Sequence, residues 1–257
     1  MNKIPLVAAL ACSLSLFSLS LHADQLKVKA SGLSPQDAAN LRGKSVAVTF
    51  HPPNFLMFWQ SFGGNPEDFL AYRVRDPAAL ARIQLSNTLK DALEANVRAM
   101  DESPAPSAKP EDLAEMHRET DFVLSVRYTG GIVAPAPGGN MVSNHLHMQL
   151  IETASGRIVS NAKCNATTYK HPSSPSLDAL LESNARLLKD ILLSLSWRCT
   201  RQFAIQGLGV TADQAPVIPQ ESIDPLAGRP ITTVMGARRA SREKRAENAE
   251  RNTQPKD

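Results

Sequence analysis

Residues 121–164, DFVLSVRYTGGIVAPAPGGNMVSNHLHMQLIETASGRIVSNAKC, decide the fold, because three segments of this stretch alternate apolar and polar side chains at the period of a strand. In DFVLSVRY, residues Phe122, Leu124, Val126 and Tyr128 fall on one face; in NHLHMQLIE, Leu146, Met148 and Leu150 do the same. RIVSNAKC forms a third strand ending on Cys164, and TASG, residues 153–156, joins the last two segments as a hairpin.

After SSPS a helix is expected from near Leu177, with Leu181, Leu188, Leu192, Leu195 and Cys199 on a single stripe at helical period. Upstream, KSVAVTF reads as a strand with Val46, Val48 and Phe50 on one face, closed by His51-Pro52-Pro53, since consecutive prolines cannot continue a ladder. Asp76-Pro77 opens a second helix as N-cap and first helical residue, and Leu85, Leu89, Ala92, Leu93 and Val97 make its apolar stripe. Pro104, Pro106 and Pro110 mark a loop, and a short helix is expected over residues 111–118.

The order β-α-β-β-β-α predicts a two-layer α+β domain, a mixed sheet of about four strands with helices packed on one face. A right-handed crossover makes the first two strands parallel.

The N-terminus sets the compartment. Asn2-Lys3 form a basic start, residues 4–21 an apolar run with serines, and Leu21-His22-Ala23 a small-residue cleavage site, so residues 1–23 read as a signal peptide and the mature chain begins at Asp24. Ala9-Leu10-Ala11-Cys12 loosely resembles a lipoprotein processing site, but the apolar run continues past Cys12, so a lipid anchor there is the lesser expectation. A periplasmic or secreted protein follows. Removal of the signal leaves Cys164 and Cys199, an even pair in an oxidising compartment, and periodicity puts one on the core face of its strand and the other on the sheet-facing helix stripe. A disulfide is expected; the alternative is two buried free thiols.

From Leu208 onward the chain is rich in proline and polar residues without periodicity, which predicts a domain over residues 24–207 and a disordered tail over 208–257. Residues 237–257 hold seven Lys/Arg against four Asp/Glu. Glu243, Glu247 and Glu250 interrupt that basic run, so no nucleic-acid partner is expected.

The segments DPAALARIQLSNTLKDAL, DFVLSVRY, LHMQLIETASGRIVSNAKC and LLESNARLLKDILLSLSWRCTRQF resemble an uncharacterised family of exported proteins and lipoproteins of Gram-negative bacteria, over roughly residues 44–203. The resemblance implies a periplasmic location and no activity. The order of elements also resembles small α+β periplasmic domains of envelope assembly proteins, such as the curli secretion lipoprotein.

Motifs for chemistry are scarce. Gly43-Lys44-Ser45 imitates the end of a phosphate-binding loop, but Ala38 stands where the first glycine belongs and the segment precedes its strand. The sequence contains no GxSxG, HExxH or CxxC, and neither a catalytic residue nor a cofactor is implied. His145-x-His147 puts two imidazoles on one strand face, a start for a metal or small-molecule site, but no Cys, Asp or Glu is placed beside them and no metal is assigned. The densest aromatic stretch, HPPNFLMFWQSFGGNP at residues 51–66, offers Phe55, Phe58, Trp59 and Phe62 as an interaction surface for an envelope protein or membrane interface; rings capping the core are the alternative. The sequence therefore points to a non-catalytic binding or accessory protein of the cell envelope, and second to a small-molecule or metal-binding protein using the sheet face around His145 and His147.

Overall fold

The computed structural model describes residues 25–52, 57–59, 74–136, 138–169, 171 and 173–228, the segment 57–59 as backbone. The signal-like N-terminus with Cys12, residues Phe55 and Phe62, and the chain beyond Gly228 lie outside the described residues. The elements run β1 (Gln25–Ser31), α1 (Pro35–Leu41), β2 (Ser45–Phe50), β3 (Met57–Trp59), α2 (Pro77–Asp91), β4 (Asn96–Pro104), α3 (Pro110–Met116), β5 (Phe122–Ala136), β6 (Gly139–Glu152), β7 (Ile158–Thr167), α4 (Leu177–Gln206) and α5 (Gln220–Ile223).

The α+β class with a mixed sheet and helices on one face holds, and the strand count is corrected from about four to seven. The order is β1-β7-β6-β5-β2-β4, with β3 paired to β5 farther along the same edge that β2 uses. β2 and β5 are parallel, as expected; β5, β6, β7 and β1 form an antiparallel meander.

Each difference has a local cause. The α2 stripe stops at Asp91, with Ala92 as C-cap, because Glu94 takes a left-handed φ of 54° and turns the chain back. Val97 then pairs with Val46 in β4, an edge strand whose mostly exposed, polar pattern hides it from a periodicity search. β1 had a signal in Leu26 and Val28, which alternate with lysines. β5 and β6 extend well beyond their alternating segments into a stretch of glycine and proline, where Pro135 and Ala136 pair with Asn140 and Gly139.

One face of the sheet carries the main core. Leu124, Val126, Leu146, Met148, Leu150, Ala162 and Cys164 meet Leu188, Leu192, Leu195, Cys199 and Phe203 of α4, with Leu85 and Leu89 of α2 beside them. A small second cluster, Ala47, Val123 and Ile151 under Leu113 and Ala114 of α3, covers one end of the other face. Ser176 caps α4, accepting from the Ala179 amide. The helix is broken at Ser183, Asn184 and Ala185, all at positive φ, so the continuous stretch that carries Leu188 to Phe203 begins after the break. Among the described residues no helix is long and apolar enough to cross a membrane.

The expected domain end at Gly207 is corrected. Leu208, Val210, Ala215 and Leu226 are buried in the main core. The absence of periodicity misled because sparse apolar residues dock singly here, while α4 supplies the polar partners: the Arg201 guanidinium donates to the carbonyls of Ala212, Ala215 and Pro216, and Arg198 donates to that of Ile223 at 2.6 Å.

Cys164 and Cys199 form the expected disulfide, with Cα atoms 5.7 Å apart. Where β2 ends, His51 turns inward and buries its ring, Nε2 lying 3.1 Å from Thr49 Oγ1 and 3.0 Å from Ser125 Oγ. Burial, then the positive charges of Arg127 and Arg82, push its pKa down to about 4.

Three tests follow from this packing. The variant carrying Cys164→Ala and Cys199→Ala should lose roughly 3–4 kcal/mol in urea denaturation, from the loop closure released in the unfolded chain. Truncation after Gly207 should cost at least about 4 kcal/mol, because it strips buried side chains worth roughly 1.5–3 kcal/mol apiece from the core; an unchanged urea midpoint would show that residues 208–228 do not hold the body. His51 is neutral in the fold, and the unfolded chain takes up its proton below about pH 6.5, so stability should fall as pH drops from 6.5 to about 4, by up to about 3 kcal/mol from this group. His51→Gln should flatten that part of the pH profile; parallel profiles for the two proteins would exclude His51 as the source.

Candidate functional site

The face of the sheet opposite α4 receives every second residue of the central strands, and the register lines these residues up in rows. One row is basic throughout: Lys29 of β1 pairs with Lys163 of β7, Lys163 with His147 of β6, and His147 with Arg127 of β5. Beside it, Lys27 pairs with Asn165 and Asn165 with His145. On the other side lies a neutral row of Ser31, Asn161, Gln149, Ser125 and Thr49.

The three lysines are exposed, whereas Arg127, His145 and His147 are half-buried. Together Lys27, Lys29, Lys163, His145 and His147 border a depression of about 480 Å³, with Thr129 and Asn165 at its side and Leu146 and Cys164 beneath. No carboxylate lines it among the described residues.

Hydrogen bonds fix the inner members. Arg127 Nη2 donates to His147 Nδ1 at 2.8 Å, which leaves Nε2–H of that ring to donate to Asn161 Oδ1, also at 2.8 Å. The His147 pKa is lowered by burial first; the Asn161 bond opposes this, and Arg127 and Lys163 add to it. Burial also lowers His145, partly offset by its bond to Asn165, and burial lowers Arg127. Thr129 sits at a register shift of β5, donating to the His145 carbonyl.

His145 and His147 therefore share a face, as their spacing implies. Both nitrogens of His147 are engaged, so neither offers a lone pair to a metal in this arrangement, and the described residues hold no group of three or more His, Cys, Asp or Glu able to bind one. Of the aromatic surface, Phe58 and Trp59 lie on β3, paired with Ile132 and Val133 of β5, and their side chains lie outside what is described, as do Phe55 and Phe62. The partners of the histidines, Lys27, Lys29, Lys163 and Arg127, are not singled out by the sequence, because only the register of four strands gathers them.

A second cleft, about 570 Å³, runs between the start of α2 and α4, lined by Val74, Leu80, Leu192 and Leu193. Its charges are mixed, with Arg75 and Lys189 set against Asp76 and Asp190. Asp76 is already committed, accepting from the Ala78 amide and from Arg82.

No family model matches the chain and no curated protein does. Among solved structures it is similar to the PelC dodecamer from Paraburkholderia phytofirmans, with 15% identity over 71% of this chain and 99% of that one at a TM-score of 0.34. It is also similar to the LpoB C-terminal domain from Salmonella enterica, with 13% identity over 49% of this chain and 83% of that one at a TM-score of 0.28. Lipoprotein GNA1162 from Neisseria meningitidis gives 11% identity over 48% and 82% at a TM-score of 0.29. At such TM-scores these likenesses assign neither a role nor a partner to this chain.

Proposed function

We propose that this chain is an exported, non-catalytic binding or accessory protein of the cell envelope, and that it meets its ligand through the open sheet face around His145 and His147. Export is supported by the signal-like N-terminus and by the disulfide, a bond that persists in oxidising compartments. The observation that carries the binding role is the row of Lys29, Lys163, His147 and Arg127, four basic side chains on adjacent strands with no carboxylate in that row. Lys29 and Lys163, like charges set directly opposite each other, cost stability, and such a cost is retained where a contact offsets it. The aromatic stretch with Phe55, Phe58, Trp59 and Phe62 is a second contact surface of the same protein, for an envelope partner or the membrane interface.

Native mass spectrometry of the protein released from the periplasm by osmotic shock tests this. The mature chain should begin at Asp24 and carry a bound small molecule that the Lys29→Glu, Lys163→Glu double variant loses. A bound species retained equally by that variant, or none at all, would remove the sheet face as the contact site. A chain bearing lipid on Cys12 would correct the soluble placement.

A further inference from the structure

We propose that the open face binds a soluble, multiply charged anion, a ligand with at least two phosphate or carboxylate groups, held by Lys29 and Lys163 at the rim and by the His147 and Arg127 pair at the far end of the row. This assignment rests on the identification of that face as the contact surface.

The chain itself shows what a guanidinium withdrawn from water requires. Arg82, 2% exposed, has Asp76 at 2.5 Å, the Val126 carbonyl at 3.3 Å and the Phe50 ring with its centroid 5.3 Å away. Arg127, two strands from the edge of the same sheet, has a neutral imidazole instead: its Nη2 bonds His147 and it forms no ion pair among the described residues, while its Nε, like that of Arg82, is buried without an acceptor. A half-buried cation in this state carries a desolvation cost that a bound anion removes.

Geometry sets the number of charges. Adjacent strands stand ~4.8 Å apart, so four basic residues in one row span roughly 14 Å, more than one phosphate or carboxylate group can cover. The form of the site favours a soluble ligand over a bilayer. A membrane plane reaches the exposed Lys27, Lys29 and Lys163, but the half-buried imidazoles line a depression of about 480 Å³, which admits a small molecule.

Isothermal titration with pyrophosphate and with citrate, at low salt and neutral pH, tests the inference on the mature protein. Saturable one-site binding of at least one of them is expected, accompanied by shifts of the His145 and His147 ring resonances. The Lys29→Glu, Lys163→Glu double variant should weaken it at least ten-fold, and Arg127→Gln should do likewise, while Lys90→Gln at an exposed position of α2 leaves it unchanged. The rim variant alters exposed residues only, so it decides the matter if Arg127→Gln does not fold. Binding that fails to saturate, or that the rim variant leaves intact, overturns the proposal. Binding to phosphatidylglycerol vesicles with none to either soluble anion also overturns it and makes the face a membrane contact. If an uncharged ligand copurifies on this face and neither anion binds, the contact surface stands and the anionic class falls.

Discussion

Packing of α4 against β5, β6 and β7 is the constraint on which the rest of this molecule depends. Leu188, Leu192, Leu195, Cys199 and Phe203 cover Leu146, Met148, Leu150, Ala162 and Cys164. Because side chains alternate along a strand, burying one set commits the other set to the opposite face, and a slip of one residue would exchange them. Putting Leu146 and Met148 under the helix therefore puts His145 and His147 outside, and putting Cys164 inside puts Lys163 outside. The basic row is the complement of the core.

That dependence explains what was legible in the sequence. The three alternating segments, the α4 stripe and the bridge between Cys164 and Cys199 follow from local period and from the even pair of cysteines left behind a signal-like N-terminus, which a single chain displays. β4 was not legible, since an edge strand needs hydrophobic alternation on neither face when one side is solvent, and its polar sequence follows a proper N-capped helix without a break other than Glu94. Residues 208–228 were not legible for a different reason. Leu208, Val210, Ala215 and Leu226 enter the core at irregular intervals, and what holds the backbone between them is the guanidinium of Arg201 on another element. The candidate site was half legible: His145 and His147 announce a shared face, whereas Lys29, Lys163 and Arg127 lie in strands far apart in sequence and meet only through register.

The two faces treat charge differently. On the helix side Arg82 is buried with a carboxylate, a carbonyl and a ring, which makes it part of the packing. On the other side Arg127 and His147 are ordered by each other and by Asn161, with no ion-pair partner among the described residues. His51 lies against Thr49 and Ser125 of the neutral row, and its ring is held neutral by burial and by both arginines, so it adds no charge there.

The disulfide ties this arrangement to rigidity. Cys164 lies beneath the depression while its partner Cys199 belongs to α4, so the covalent link fixes the middle of β7 to the helix at the point where the floor of the site is formed. Lys163 and Asn165 flank that cysteine and point to the open face. Their backbone positions are therefore held by a bond rather than by sheet pairing alone, and β1, which pairs with β7 along its whole length, carries Lys27 and Lys29 in the same frame. A charged ligand entering such a site meets cations whose spacing is already set, and the ordering cost that exposed lysines on a mobile strand would impose is reduced to that of their side chains.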